Sequence, residues 1–515
     1  MTASCPRLLR RLLLTALLLS LAPLGARDFT ALDAYLERAR ADWGVPGMAV
    51  AIVQGDSLVF ARGYGVRRLG DSASVTEHTL FAVASNTKAF TATLLGLLVE
   101  EGKLSWDDRV ADHIREFQMH EPVVSREMRV RDLLSHRSGL STYGGDHIWI
   151  GNEDNTRAEI IRRLRWLEPT APFRYRYQYQ NLMFLVAGEL IPAIDGESWD
   201  TAMRRRLLDP LGMTASTLTI RALTEREDVA APHERRDGKV VPVPYEPLHN
   251  IAPAAALNSS AVEMAQWMRL NLNNGIWNGD TLVHPSTIRE LQSLHTPIPI
   301  SRQREELLGT HFSGYGLGWR LYDYAGRKVV THGGGMSGMI SLQTLIPEEG
   351  LGVMVLTNFA PTSLTGAVTY RILDFMLDRP EQDWSARFQE LEEQSQSRRE
   401  TRKARVEAER IPDTRPSLPL EQYAGVYHDP FSGDAQVRLE NGGLVFDYNP
   451  RHRGTLAHWH FDTFRVTWEN PIFDMPGEAF LSFDLNEEGR ISGLTVTFYD
   501  PIRFERRGDL PVPPR

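Results

Sequence analysis

Apolar positions recur along this chain at two spacings, one helical and one strand-like. Phe29, Leu32, Leu36 and Ala39 fall on one face at helical spacing, so Phe29 to Asp42 reads as an amphipathic helix. Met48 to Gln54 and Leu58 to Tyr64 read as strands joined at Gly55-Asp56, a hairpin. Phe90, Leu94, Leu97 and Leu98 mark a buried helix that Gly102 stops. The apolar run Leu182 to Leu190 follows a polar, aromatic stretch. In that stretch the alternation of Tyr175, Tyr177 and Tyr179 also fits an ordinary strand face. Lys328 to Thr331 reads as a short strand. From His332 to Asn358 strand segments are broken by glycine and by Pro347-Glu348-Glu349-Gly350. Leu364, Val368, Ile372, Phe375 and Met376 then mark a helix. One helix and two strands open this unit, and strands plus a helix close it. That order is consistent with one antiparallel sheet built from both ends, with a mostly helical insertion between them.

The pattern changes at residue 381. Glu390 to Arg410 is almost all Glu, Gln, Ser, Arg and Lys, too few apolar anchors for a core. Residues 381–419 therefore read as a solvated helix or linker, closed by Pro412, Pro416 and Pro419. Beyond it short strands dominate: Ala435 to Leu439, Leu444 to Tyr448, Thr463 to Trp468, Phe480 to Leu485 and Leu494 to Phe498. Asn441-Gly442 is a hairpin turn signal. Such strands fit a small barrel or sandwich over residues 420–515. The expected fold class is α+β, an antiparallel sheet flanked by helices with a helical subdomain, plus a C-terminal all-β unit, barrel or sandwich.

The start of the chain reads as an export signal rather than as fold. Arg7, Arg10 and Arg11 form a basic region, Leu12 to Leu21 an apolar one, and Leu24-Gly25-Ala26 a small-residue cleavage site. Residues 1–26 would be removed, and the protein would be secreted or periplasmic. A retained anchor is the alternative, although the apolar run is short for a membrane span. The only cysteine, Cys5, lies inside this signal, so the mature chain would have no disulfide, thiolate nucleophile or cysteine metal site. Losing the three arginines takes the formal charge from −9 to −12. An acidic chain without a basic patch argues against nucleic acid as a partner.

The chemistry centres on Ser85-Asn86-Thr87-Lys88. A serine three residues before a lysine puts both side chains on one face of a helix's first turn. A serine hydroxyl is inert at neutral pH unless a base takes its proton, and Lys88 can serve only when neutral. Two further segments follow, Tyr179-Gln180-Asn181 and His332-Gly333-Gly334-Gly335. A His-Gly-Gly-Gly run also occurs upstream of Gly-x-Ser-x-Gly elbows, but this sequence has no such elbow.

In this order and spacing the three segments resemble the serine β-lactamase and penicillin-binding-protein superfamily. The Tyr-x-Asn and His-Gly-Gly motifs look like its class C branch, the peptidase and esterase group often called CubicO. Leu133 to Leu140, Pro210-Leu211-Gly212-Met213 and Gly314 to Trp319 fit the same family, and the resemblance runs from about Phe29 to Leu377. It implies a catalytic domain over residues 27–380. Ser85 would be the nucleophile, and Lys88 or Tyr179 the general base; the sequence leaves that choice open. Asn181 would orient Lys88 and the substrate. The backbone N–H groups of Ser85 and Gly335 would form the oxyanion hole. His332, Gly333 and Gly334 would line the substrate site. Tyr423-Ala424-Gly425-Val426-Tyr427 resembles the opening of the lipocalin-like barrel appended to some members.

One departure bears on substrate. Penicillin-recognising members usually carry a lysine where His332 stands, and histidine is mostly neutral at pH 7. Recognition of a β-lactam or a terminal carboxylate is therefore weakened, and esters, amides and short peptides become as plausible. The expected function is a secreted serine hydrolase working through an acyl-enzyme on amide, peptide or ester substrates. The alternatives are a slowly deacylating penicillin-binding or sensor protein and a true class C-like β-lactamase. No cofactor or metal is expected: His458 and His460 share a strand face, with His452 nearby, but lack further ligands at metal spacing. His136 reads as structural. The oligomeric state and the role of the barrel stay open at this point.

Overall fold

A central strand whose residues are apolar without alternation must be covered on both faces. Gly47–Gln54 is such a strand, buried along nearly its whole length. Ala49, Ala51 and Val53 point into one core, while Met48, Val50 and Ile52 point into another. Each fully buried Val or Ile there contributes about 1.5–3 kcal/mol. The computed structural model describes residues 27–470 and 479–507. The export signal expected at 1–26 lies outside them.

The strand belongs to an eight-stranded sheet. In spatial order the strands are Ser57–Gly65, Gly47–Gln54, Leu351–Thr357, Met339–Ile346, Arg327–Met336, Arg320–Tyr324, Ser313–Tyr315 and Thr296–Pro297. Every neighbouring pair is antiparallel. The two terminal halves of this unit thus meet in the middle of one sheet, with Met48 opposite Thr357 and Gln54 opposite Leu351. The helices Thr30–Asp42 and Leu364–Met376 cover one face. The helical insertion covers the other, led by Thr87–Glu100, Asn181–Asp195 and Ala261–Leu272.

One local expectation needs correction. The glycines of His332 to Gly335 do not follow a strand that ends at Thr331. They lie within the strand Arg327–Met336, paired from Val330↔Leu345 to Met336↔Met339. Glycine weakens a strand through its entropy but leaves the backbone ladder intact, so pairing continues through the run. Tyr175, Tyr177 and Tyr179 form no strand; they lie in an irregular segment that ends at the helix Asn181–Asp195.

The polar region after residue 381 is mostly one helix, Trp384–Ala408. It is anchored at its first turn, where Trp384 is buried and donates its indole N–H to Asp374 at 2.7 Å. Most of its later residues face solvent.

Eight antiparallel strands between Gly425 and Arg507 form a closed barrel in chain order, the last, Pro501–Arg507, closing on the first, Gly425–Asp429. Side chains including Tyr427, Phe446, Phe464, Phe483 and Phe504 fill its interior. Asn441 and Gly442 take φ of +52° and +82°, as a two-residue hairpin turn requires. The strand Pro501–Arg507 went unread because four of its seven residues are charged; only Ile502 and Phe504 pack toward the interior.

The barrel docks against the segment Ser141–Gly151 of the helical insertion. His147 Nε2 meets Ser432 Oγ at 2.9 Å, and the His147 ring stacks on Phe498 at 5.0 Å. Asn449 donates to the Ile150 carbonyl at 3.0 Å. Arg451 reaches Glu246 at 2.7 Å, and Phe431 joins the core of the insertion.

Candidate active site

Ser85 sits where the chain turns from the short strand Phe81–Ala82 into a single helical turn, Ala84–Asn86, and then the helix Thr87–Glu100. Ala84 makes that turn with φ of +45°, a left-handed conformation that costs an alanine about 1–2 kcal/mol. The strained turn is held from the sheet. Ser341 Oγ donates to the Val83 carbonyl at 2.8 Å and accepts from Asn86 Nδ2 at 2.8 Å. The strand Arg327–Met336 approaches so closely that a Cβ on Gly334 would lie 2.0 Å from the Val83 oxygen, so only glycine fits. Gly333, by contrast, has room for a side chain.

Lys88 lies one helical turn on and is fully buried. Its Nζ meets Ser85 Oγ at 3.0 Å, Asn181 Oδ1 at 2.7 Å and the Ala254 carbonyl at 3.0 Å. Burial lowers its pKa to about 7, against the opposing pull of Asp146. The last two partners can only accept. A neutral amine has two N–H bonds, which those acceptors take, so its lone pair is left facing the Ser85 hydroxyl. The Ala254 carbonyl reaches the site because the helix Asn181–Asp195 packs tightly there. A Cβ on Gly188 would come within 2.2 Å of Pro253.

Tyr179 lies across from Lys88, with Nζ 4.8 Å from its ring centroid, and its hydroxyl is on the Ser85 side. Burial pushes the phenol well above its ordinary pKa near 10, so it stays protonated. Gln180, between Tyr179 and Asn181, ties this motif down. Its Oε1 accepts the Leu182 N–H at 3.0 Å and caps the helix, while its Nε2 donates to the Gly144 carbonyl at 2.9 Å. Ser85, Lys88 and Asn181 thus share one hydrogen-bonded group, with Tyr179 packed against it.

His332 stands 6.3 Å, ring to ring, from Tyr179. Its Nδ1 faces the Gly333 carbonyl at 2.7 Å, which makes Nδ1 the protonated nitrogen; Nε2 then accepts from the Tyr315 hydroxyl at 2.7 Å. Burial and the Lys88 charge lower its pKa to about 3, so the ring is neutral at pH 7. His136 is buried beneath Tyr179, ring to ring at 4.3 Å, and accepts the Gln180 backbone N–H at 3.0 Å.

Three residues escaped sequence reading. Ser341 and Asn86 latch the turn that bears Ser85, and a serine in a strand carries no signal for that. Asp146 is the third. It is buried, accepts from Asn181 Nδ2 at 2.6 Å and from Trp149 Nε1 at 3.0 Å, and burial raises its pKa to about 7. In the run Gly144-Gly145-Asp146-His147 an acid reads as loop surface; its one signal was the apolar flank Ile148-Trp149-Ile150. Among the described residues no three His, Cys, Asp or Glu side chains group as metal ligands. His458 faces the Phe461 carbonyl, and His460 faces the Ile411 N–H.

The Beta-lactamase family matches residues 32–375, and a family described as a domain of unknown function, DUF3471, matches residues 409–506. The unguisins hydrolase ungD of Aspergillus violaceofuscus is 30% identical over 439 residues, covering 78% of this chain and 76% of that protein. Penicillin-binding protein 4 of Amycolatopsis lactamdurans is 30% identical over 330 residues, 62% of this chain and 82% of that one. The octameric penicillin-binding protein homologue from Pyrococcus abyssi shares the fold, with a TM-score of 0.62 at 21% identity over 93% of this chain and all of that one.

Proposed function

The chain belongs to the beta-lactamase family, a family of serine hydrolases, and we propose that it cleaves amide, peptide or ester bonds through an acyl-enzyme on Ser85. The observation that carries this reading is the hydrogen bonding of Lys88 to both Ser85 and Asn181, with Tyr179 packed against Lys88, around one reachable hydroxyl. Ser85 Oγ attacks the substrate carbonyl carbon while its proton passes to the Lys88 lone pair. The developing oxyanion is held by the backbone N–H groups of Ser85 and Gly335. As the bond to the leaving amine or alcohol breaks, Tyr179 delivers a proton to it and is resupplied from Lys88. Water then attacks the acyl carbon by the same steps in reverse order and frees Ser85. Asn181 holds Lys88, and the wall of His332, Gly333 and Gly334 lines the substrate site.

The neutral, hydrogen-bonded His332 supports neutral esters and amides over carboxylate-bearing β-lactams. Kinetics on p-nitrophenyl esters, D-amino-acid amides and nitrocefin test the whole reading. Turnover of at least one ester or amide is expected. A stable adduct with no turnover of any of them would replace it with the slowly deacylating sensor. His332→Lys should raise kcat/KM for a carboxylate-bearing substrate relative to a neutral ester by about tenfold, the scale of one charged hydrogen bond. An unchanged ratio would remove the carboxylate argument and leave the acyl-enzyme standing.

The proposal extends to processing and domain layout. The basic, apolar and small-residue succession in residues 1–26 supports export and cleavage after Ala26. Among the described residues no helix is long and apolar enough to cross a membrane. We take 27–380 as the catalytic domain, 381–419 as the connecting helix and linker, and 420–515 as an appended barrel of lipocalin-like type, in line with its up-and-down strand order. N-terminal sequencing tests both parts. The mature protein should begin at Arg27, and limited proteolysis should cut first within 409–419, where exposed backbone follows the helix. A first cut inside the sheet or the barrel would overturn the division, and a mature chain starting at Met1 would overturn the export.

A further inference from the structure

The Asn181 amide has two ends of similar shape, and only one of them helps a base. With Oδ1 toward Lys88, Asn181 accepts an N–H and leaves the amine's lone pair free for Ser85. With the amide turned, Nδ2 would point a donor at that lone pair and compete with the serine. The neighbour that decides between these is Asp146. It lies on the far side of Asn181, with its Oδ2 at 2.6 Å from Nδ2, while Asn181 Oδ1 is 2.7 Å from Lys88 Nζ. Asp146 is itself oriented by the Trp149 indole, which donates to its Oδ1 at 3.0 Å.

We infer that Asp146 is a positioning residue whose carboxylate fixes the Asn181 amide and, through it, the proton balance of Lys88. The inference rests on the acyl-enzyme reading above. Both Asp146 and Lys88 are buried, so each is the principal charge the other can meet. Burial lowers Lys88 and raises Asp146, and each opposes the other's shift. The other titratable groups around this pair are Tyr179, His136 and His332, with Tyr143 against the Tyr179 ring. Burial keeps Tyr179 protonated and the two histidines neutral. His147, next in the chain, turns away to Ser432 of the barrel. The charge at Lys88 is therefore governed chiefly by Asp146 across one amide.

The sign of the effect follows. The carboxylate stabilises the ammonium form, and acylation needs the neutral amine. Removing the carboxylate should lower the Lys88 pKa and move the acid limb of the acylation rate to lower pH. An asparagine at 146 can also donate to Asn181 Oδ1 and turn the amide, so the plateau should fall.

The test is the pH dependence of Ser85 acylation by a fluorophosphonate, followed by intact mass. Asp146→Asn should move the acid limb down by about one unit, the scale of one nearby opposite charge. It should also lower the plateau by about tenfold, less than the ~10² expected for a group that handles the proton itself. Asp146→Glu keeps the charge and should hold the limb near its wild-type position. Trp149→Phe is the milder variant should Asp146→Asn not fold. It removes one donor that favours the carboxylate and should move the limb in the same direction by less. A purely structural Asp146 would lower thermal stability and leave the limb where it is. That result overturns the inference alone, since the wild type is still acylated. A wild type that is never acylated at Ser85 overturns the reading beneath it as well.

Discussion

Ser85→Ala should abolish acylation by a fluorophosphonate or a β-lactam probe, by about 10⁴-fold or more, the scale of losing a serine nucleophile. Intact-mass spectrometry of the protein reads this directly. The variant should stay folded, because Ser85 contributes little packing. It is half-buried, and its loss leaves Lys88 bound to Asn181 and the Ala254 carbonyl. The latch of Asn86 and Ser341 on the turn does not involve the Ser85 side chain either. Thermal unfolding within a few degrees of the wild type would separate a chemical loss from a structural one. Undiminished labelling of Ser85→Ala would place the nucleophile elsewhere and sink the mechanism.

The frame of the fold was legible because its signals are local. The uninterrupted apolar run of Gly47–Gln54 announces a strand covered on both faces, and the helix after Ser85 carries its buried stripe in plain spacing. What the sequence could not carry was contact between distant segments. Asp146 lies 35 residues from Asn181 and 58 from Lys88 in the chain, and only the packing of the helical insertion brings them together. Ser341 is 258 residues from the Val83 carbonyl it binds. Glycine misled in one place: the run after His332 reads as a break, yet the ladder passes through it. The reason such glycines are present was visible only in three dimensions, where Gly334 lies against Val83. The barrel's partners were hidden in the same way. Neither Ser432 nor Asn449 advertises that it binds the loop bearing Asp146.

Lys88 and Tyr179 should prove to be two halves of one proton path, with Lys88 as the base. Lys88→Ala and Tyr179→Phe should each slow acylation by about 10² or more, the usual scale for an acid–base group. In the double variant the losses should not multiply, because either single change already breaks the path. The pH dependence assigns the roles. Burial lowers Lys88 to about 7, so the competent neutral amine accumulates as pH rises through that value. Wild-type acylation should therefore climb through a limb near pH 7, and Tyr179→Phe should keep that limb at a lower plateau. Lys88→Ala should lose it. Burial holds Tyr179 well above its ordinary range, so the phenol presents its proton as a donor and adds no ionisation near neutrality. Lys88→Ala also strips the buried Asn181 Oδ1 and Ala254 carbonyl of their donor, at a cost of about 1–3 kcal/mol for each group left unpaired. Rates must accordingly be compared at a temperature where both variants remain folded. If the limb near pH 7 survives in Lys88→Ala and vanishes in Tyr179→Phe, the tyrosine is the base and the assignment reverses.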